Sequence, residues 1–393
     1  MMLPNGWKKV KLGDVIKSLD AGVSVNSVDE PASKNSIGVL KTSCVSSGSF
    51  NPKENKAVVS ADIDRVSVSV KADRIILSRM NSPSLVGANA YIASDFSNLY
   101  LPDRLWQLEP YPNKVNMRWL SYVLGRQETK NRFLNMATGT SNSMKNITKE
   151  DVLNLNISLP PIEEQKKIAA TLSVWDSAIE KMEKLIEAKE NSYDCFLAIS
   201  IMSDTYAELG TFLTEVSERN KDENIQQVLS VSNSKGFVLP EEQFDRKVAS
   251  ENLSNYKIVR LGQYAYNPSR INVGSIARLN DWKEAVISPM YTVFEIGDQK
   301  QLDSDFLLHW LNSSEAKQRI KNSAQGSVRE TVGFGDLCKI KIPKFALKKQ
   351  QKIVSVLNSM NQEITLLMQQ LENYKKQKQG LMQKLLTGQW RVK

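Results

Sequence analysis

Arg79 with Asn81, and Arg270 with Asn272, form two Arg-x-Asn triplets, each placed after an apolar run that predicts a strand. Arginine pairs in bidentate fashion with guanine and asparagine with adenine, so residues of these types on loops suit the reading of base edges. Lys71, Arg74, Arg104, Asn142, Lys145, Arg278 and Arg329 are the further DNA-binding candidates. Among such residues lysine mainly contacts phosphate. For each of them a surface charge or a structural ion pair is the competing reading.

Residues for bond-making chemistry are scarce. The single histidine, His309, lies in the amphipathic stretch Phe306 to Leu311 and reads as structural. No GxxxxGK[ST] phosphate loop is present, and no GxGxxG follows a strand. Leu159-Pro160-Pro161-Ile162 carries the prolines of an amino-methylating motif without its polar residue or its aromatic. Acidic residues are plentiful, but no pair stands out as a metal-dependent nuclease centre. Cys44, Cys195 and Cys338 are far apart with no CxxC pair, which predicts reduced thiols and neither disulfides nor a zinc site. No catalytic residue, metal ligand or cofactor is therefore expected on this chain. No apolar stretch approaches the ~20 residues of a membrane span, and a cytoplasmic protein is the default.

The elements that would hold the candidates occur twice. Ile168, Leu172, Trp175, Ile179, Met182 and Ile186 step by four and three, and so do Ile353, Leu357, Met360, Ile364, Leu367 and Leu371, each 185 residues after its counterpart. This is a heptad seam, the signature of a coiled coil. Each seam follows a proline-containing strand, Ile157 to Pro161 and Ile340 to Pro343, and proline marks a helix start well. Gly388 supplies a C-terminal stop. Two helices of matched length in one chain can pair with each other, and antiparallel pairing is the economical arrangement. Each would run about 50 to 60 Å, more than one DNA turn of about 34 Å.

Ahead of each helix lies a segment of short strands and turns. Leu12-Gly13-Asp14 is matched by Leu209-Gly210-Thr211. Ser78-Arg79 aligns with Ser269-Arg270 at an offset of 191, Gly87 with Gly274 and Pro102 with Pro289 at 187, and Gln165 with Gln350 at 185. Val66 to Val70 alternates as a half-buried strand, and Arg74 to Leu77 reads as a buried one. Met117 to Phe133 and Phe306 to Ile320 read as helical, and Tyr122 stands where the second copy has His309. A duplication this long means one module used twice.

The net charge is +9, which raises the prior for a polyanionic partner. It is unevenly spread. Residues 1–158 carry 20 Lys/Arg against 14 Asp/Glu, 159–200 carry 5 against 8, 201–338 carry 15 against 19, and 339–393 carry 12 against 2. An acidic first helix and a basic second one would favour pairing with each other over self-association.

The duplicated plan, the run Leu159-Pro160-Pro161-Ile162-Glu163-Glu164-Gln165-Lys166-Lys167-Ile168, its counterpart around Gln350-Gln351-Lys352-Ile353, and the ending Lys378 to Gly388 resemble the specificity subunit of Type I restriction-modification systems. The resemblance spans essentially the whole chain. It implies an α/β (α+β) architecture in which two β-rich target recognition domains are separated by two long antiparallel helices forming an intramolecular coiled coil. The expected boundaries are 1–158 for the first recognition domain, 159–200 for the central helical spacer, 201–345 for the second domain and 346–393 for the C-terminal spacer. Double-stranded DNA, two modification (methyltransferase) subunits and restriction (endonuclease/translocase) subunits are the implied partners. S-adenosylmethionine, ATP and Mg are implied in those partners only. The recognition region of a single-subunit restriction enzyme, or a stand-alone DNA-binding protein of the same fold, is the rival reading.

Overall fold

The computed structural model describes residues 3–139, 144–233, 235–243, 252–324 and 331–392. The candidates Asn142 and Arg329 lie outside them. The chain divides into two compact units, Met1–Lys181 with Leu371–Lys393, and Met182–Gln370. Both long helices, Ile162–Ser200 and Leu347–Leu386, are cut by this division, and the first unit is assembled from two separate stretches of sequence while the second is continuous.

The first unit is built on a four-stranded antiparallel sheet, in the order Ile16–Ala21, Leu105–Pro110, Arg74–Ser78, Asn89–Ile92. The second unit repeats that order with Leu213–Val216, Thr292–Ile296, Tyr264–Tyr266 and Ile276–Arg278. A 3-10 turn with a fully buried leucine precedes each sheet, Leu12–Asp14 and Leu209–Thr211. A two-stranded ribbon leads into each long helix, Lys8–Lys11 with Asn156–Leu159 and Tyr206–Glu208 with Lys341–Pro343. The duplication read from the sequence is thus a duplication of topology.

The copies diverge outside this frame. The first unit adds a five-stranded sheet in the order Ser27–Val28, Asn55–Val58, Gly38–Leu40, Phe96–Tyr100, Ser69–Val70. The second has instead two ribbons, Ser230–Ser232 with Gly236–Val238 and Lys257–Arg260 with Glu284–Ile287. Of the alternating run Val66 to Val70, only Ser69–Val70 joins a ladder. Val66 and Val68 are half-buried without strand partners, so alternation reported the inward face but not the pairing.

The two stretches read as helical are helical, each as a pair of helices. Met117–Gly125 is followed by Gln127–Met136, and Ser304–Asn312 by Ser314–Ala324. Arg126 and Ser313 between them are extended, with ψ of 144° and 154°. At the second break Ser313 Oγ accepts from the Ala316 N–H at 3.1 Å, capping the new helix in place of the one that ended. At the first break the helix ends on Gly125, a weak helix former.

All twelve heptad residues are buried or half-buried. Ile168 and Leu172, with Leu385 and Leu386, enter the first unit's core beside Trp119 and Leu120. Ile353, Val354 and Leu357, with Leu197 and Ile201, enter the second unit's core beside Trp310. Within the first unit the beginning of one helix meets the end of the other: Trp175 packs edge-on against Tyr374 at 6.0 Å, and Asp176 pairs with Lys378. Glu164 takes Arg391 at 2.6 Å. Within the second unit the order is reversed, Lys189 reaching Glu363 at 2.7 Å. The pairing is antiparallel, as expected. Gly388, at φ 72°, ends the second helix by donating its N–H to Leu385 O.

One polar contact fastens helix to domain in both units. Gln165 is almost fully buried; its Oε1 accepts from the Asn116 N–H at 2.8 Å and its Nε2 donates to Pro160 O at 2.8 Å. Gln350 repeats this, accepting from the Asp303 N–H at 2.8 Å and donating to Phe345 O at 2.9 Å and Gln301 O at 2.8 Å. Asn116 and Asp303 are the N-caps of the helices Met117–Gly125 and Ser304–Asn312. Truncation of either glutamine strands a buried N–H and a buried carbonyl, so Gln165→Ala and Gln350→Ala should each cost roughly 2–4 kcal/mol. Hydrogen exchange resolved by residue should show lost protection confined to the unit that carries the substitution. Loss shared equally by both units would contradict this assignment.

Candidate nucleic-acid interface

Four of the sequence candidates meet in the first unit. Arg79 follows the strand Arg74–Ser78 directly; its N–H donates to Arg104 O at 3.1 Å and its carbonyl accepts from the Ile147 N–H at 3.0 Å. Asn81 lies in the short strand Met80–Asn81, directly opposite Lys145. Arg79, Asn81, Arg104 and Lys145 therefore share one end of the sheet, joined by backbone hydrogen bonds from three segments. Arg104 is exposed, and Lys145 Nζ reaches Gly139 O at 3.1 Å.

Arg79 itself is half-buried, its guanidinium 5.7 Å from the centre of the Trp106 ring and its Nε buried without a hydrogen-bond partner among the described residues. A guanidinium held against an aromatic plane is already partly ordered, so it loses less freedom on meeting a planar acceptor. Trp106 as its platform was not foreseen; only the strand register, which places Trp106 opposite Leu77, reveals it.

Lys71 and Arg74 lie away from this group. Arg74 starts the strand whose end precedes Arg79, five residues off, or roughly 17 Å along a strand. Its guanidinium is committed to Glu109 at 3.5 Å and to Asp73 O at 3.1 Å. Lys71 is exposed beyond that same end, and its backbone N–H donates to Gln107 Oε1 at 3.0 Å.

In the second unit the expected equivalence of Arg270 with Arg79 fails. Leu105 pairs with Ser78, while the matching Thr292 pairs with Tyr266, so the residue after the strand is Asn267 and not Arg270. Arg270 stands three residues further on, at the end of a turn whose backbone closes from its N–H to Asn267 O at 2.9 Å. A shared Ser-Arg dipeptide produced the false match. The Gly87 and Gly274 match holds, both glycines having positive φ, at 78° and 95°. Arg270 is exposed, and Asn272 is half-buried in the 3-10 turn Ile271–Val273 that follows it.

Arg278 is consumed by structure. Its Nε donates to Asn280 at 2.8 Å, one terminal nitrogen to Ser304 at 2.8 Å and the other to Asp305 at 2.7 Å. Asp305 continues the chain: Asn358 Nδ2 donates to it at 3.1 Å, and Asn358 Oδ1 accepts from His309 Nε2 at 2.8 Å. His309 Nδ1 in turn lies 2.7 Å from the Tyr193 hydroxyl. A neutral imidazole protonated on Nε2 satisfies both contacts, with the Tyr193 hydroxyl donating to Nδ1. The equivalent place in the first unit is charged: the Tyr122 hydroxyl donates to Asp176, which also binds Lys378. His309 is structural, as its sequence context indicated.

Among the described residues no group of His, Cys, Asp or Glu could hold a metal, and no helix is long and apolar enough to cross a membrane. The three cysteines are free.

The repeated sheets, the antiparallel helices and the sequence together match the family described as Type I restriction modification DNA specificity domain, over residues 4–190 and 246–374. The chain belongs to this family. It is similar to the Type I restriction enzyme EcoEI specificity subunit of Escherichia coli, at 25% identity over 48% of this chain and 32% of that one. It is also similar to a putative type I restriction enzyme MjaX specificity subunit of Methanocaldococcus jannaschii, at 23% identity over 100% of this chain and 95% of that one. The fold of this specificity-domain chain is shared by a Type I restriction-modification S subunit from M. genitalium, with a TM-score of 0.60, 16% identity and 98% of both chains covered. A chain from a structural study of type I R-M complex assembly gives a TM-score of 0.58 at 16% identity, covering 98% of this chain and 99% of that one.

Burial, opposed by the Asn358 hydrogen bond and the nearby Asp305, lowers the His309 pKa from its ordinary 6.5. A base whose folded pKa is depressed binds fewer protons folded than unfolded in the window between the two values. Stability there rises with pH, and it is lost as pH falls below about 6.5 toward the folded pKa. The second unit should therefore lose stability on acidification through that window. In His309→Gln this part of the pH dependence should vanish. An unchanged pH profile for the variant, followed by urea unfolding, would refute the neutral assignment.

Proposed function

We propose that each domain reads one half of a bipartite, asymmetric DNA target while the helix pair sets the unread gap and carries the partner subunits. In this reading the chain itself makes and breaks no bonds. Methyl transfer to adenine with S-adenosylmethionine belongs to two modification subunits, and ATP- and Mg-dependent cleavage to restriction subunits, with the whole complex acting in the cytoplasm. The observation that carries the proposal is one sheet topology used twice with different polar residues at its ends. A common frame supplies the same presentation to DNA, and different loops supply different bases.

In the first domain the readers are Arg79, Asn81, Arg104 and Lys145, with Lys145 and Arg104 on phosphate. In the second they are Arg270 and Asn272, on a turn with no counterpart in the first. The two half-sites are therefore expected to differ in sequence and in the depth at which the groove is entered.

Two outcomes test this in cells carrying the complete system, read as the positions of methylated adenines across genomic DNA. Arg79→Ala should relax or abolish one half-site only and Arg270→Ala the other, each by about 1–3 kcal/mol of discrimination. Loss of both half-sites in either variant would point to a folding defect and against separate readers. Removing Glu180–Ile186 together with Leu366–Glu372 takes seven residues from the middle of each helix and leaves the segments anchored in the domain cores intact. The gap should shorten by about 10 Å, or about three base pairs, with both half-sites unchanged. An unchanged gap would exclude the helices as the spacer.

A further inference from the structure

A cavity of about 320 Å³ opens in the first unit between the loop at Ser46 to Phe50, the edge strand Asn89–Ile92 and the helix Met117–Gly125. Its lining includes Asn89, which is 4% exposed and whose Oδ1 and Nδ2 both lack a hydrogen-bond partner among the described residues. A buried carboxamide left unpaired costs about 1–3 kcal/mol, and such groups are rare in native proteins. Nothing in the recognition role assigned above uses it.

The lining has a definite sign. Arg118, Lys130 and Lys378 face the cavity against a single carboxylate, Asp176. Asp176 is already bound by Lys378 and by the Tyr122 hydroxyl. Arg118 lies 4.6 Å from the centre of the Tyr91 ring, and Lys130 is half-buried with no ion-pair partner among the described residues. Phe50 and Tyr91 add aromatic surface. The site thus offers a carboxamide with adjacent donor and acceptor, aromatic walls and an excess of two positive charges. These suit, respectively, an adenine edge, a flat ring and a phosphate. The volume is at the low end of the range for small-molecule sites, about 300–1,000 Å³, enough for one nucleotide unit.

We infer that this cavity binds a free purine nucleoside monophosphate, adenine preferred, with Asn89 on the base and Lys130, Arg118 and Lys378 on the phosphate. Asp176 and Lys378 belong to the two long helices, so a phosphate that engages Lys378 competes with the ion pair that ties those helices together in this unit. The ligand would bear directly on the helix contact.

Calorimetric titration of the full chain with AMP, GMP and inorganic phosphate tests the inference. AMP should bind saturably in the micromolar to sub-millimolar range, and GMP and phosphate at least roughly ten-fold more weakly. Asn89→Leu, nearly equal in volume and free of the unpaired amide, should fold at least as stably and weaken AMP by roughly ten-fold or more. Lys130→Gln, a substitution at the cavity rim that leaves the core untouched, should weaken AMP while leaving the melting temperature unchanged, and it stands as the test if Asn89→Leu does not fold. No saturation by AMP up to about 10 mM, equal affinity for phosphate and AMP, or unaltered AMP affinity in the folded variants would each overturn the inference. Binding of single-stranded DNA at this site without binding of free AMP would overturn it as well.

Discussion

The structure turns on two buried glutamines. A helix nearly forty residues long has no reason of its own to leave a small β-rich domain at one fixed angle, because apolar packing is not directional. Gln165 and Gln350 supply direction. Each has its amide oxygen on the backbone N–H of a domain helix's N-cap and its amide nitrogen on a carbonyl at the start of the long helix. Both ends of the amide are spent, and both glutamines are buried beyond the reach of competing water. The surrounding leucines and isoleucines supply the free energy of docking, and the amide supplies its geometry.

The duplication is conservative in mechanics and divergent in chemistry. The glutamine lock, the sheet order and the 3-10 turn recur residue by residue. At the next contact outward the copies part: Tyr122, Asp176 and Lys378 form a charged cluster, while His309, Asn358 and Tyr193 form a neutral chain. The charge bias expected from composition, an acidic first helix against a basic second, holds for Glu164 with Arg391 and Asp176 with Lys378. It reverses for Lys189 with Glu363. Net charge over a segment says nothing about which partner a given side chain faces.

What could be read from sequence is what repeats with a period. The heptads gave both helices and every seam residue, and Gly87 with Gly274 marked the same left-handed turn in both copies. Arg79 and Arg270 misled because a dipeptide match carries no register, and an insertion between strand and arginine moved the second one along its turn. The helix breaks at Arg126 and Ser313 were hidden because the apolar pattern runs on through them. The cavity at Asn89 could not be read at all. Its lining comes from segments near residues 46, 90, 120, 176 and 378, and only the fold brings them together.

Because each unit borrows the end of one long helix, folding order is constrained by the order of synthesis. The sheet of the first domain is synthesised ahead of the second domain, yet its core includes Leu385 and Leu386, which are made after the whole of the second. Its Glu164 meanwhile waits for Arg391. Until then Trp119 and Ile168 lack part of their cover. A chain interrupted within the second domain leaves the first one open, so protease resistance of the first domain depends on synthesis having passed through the second.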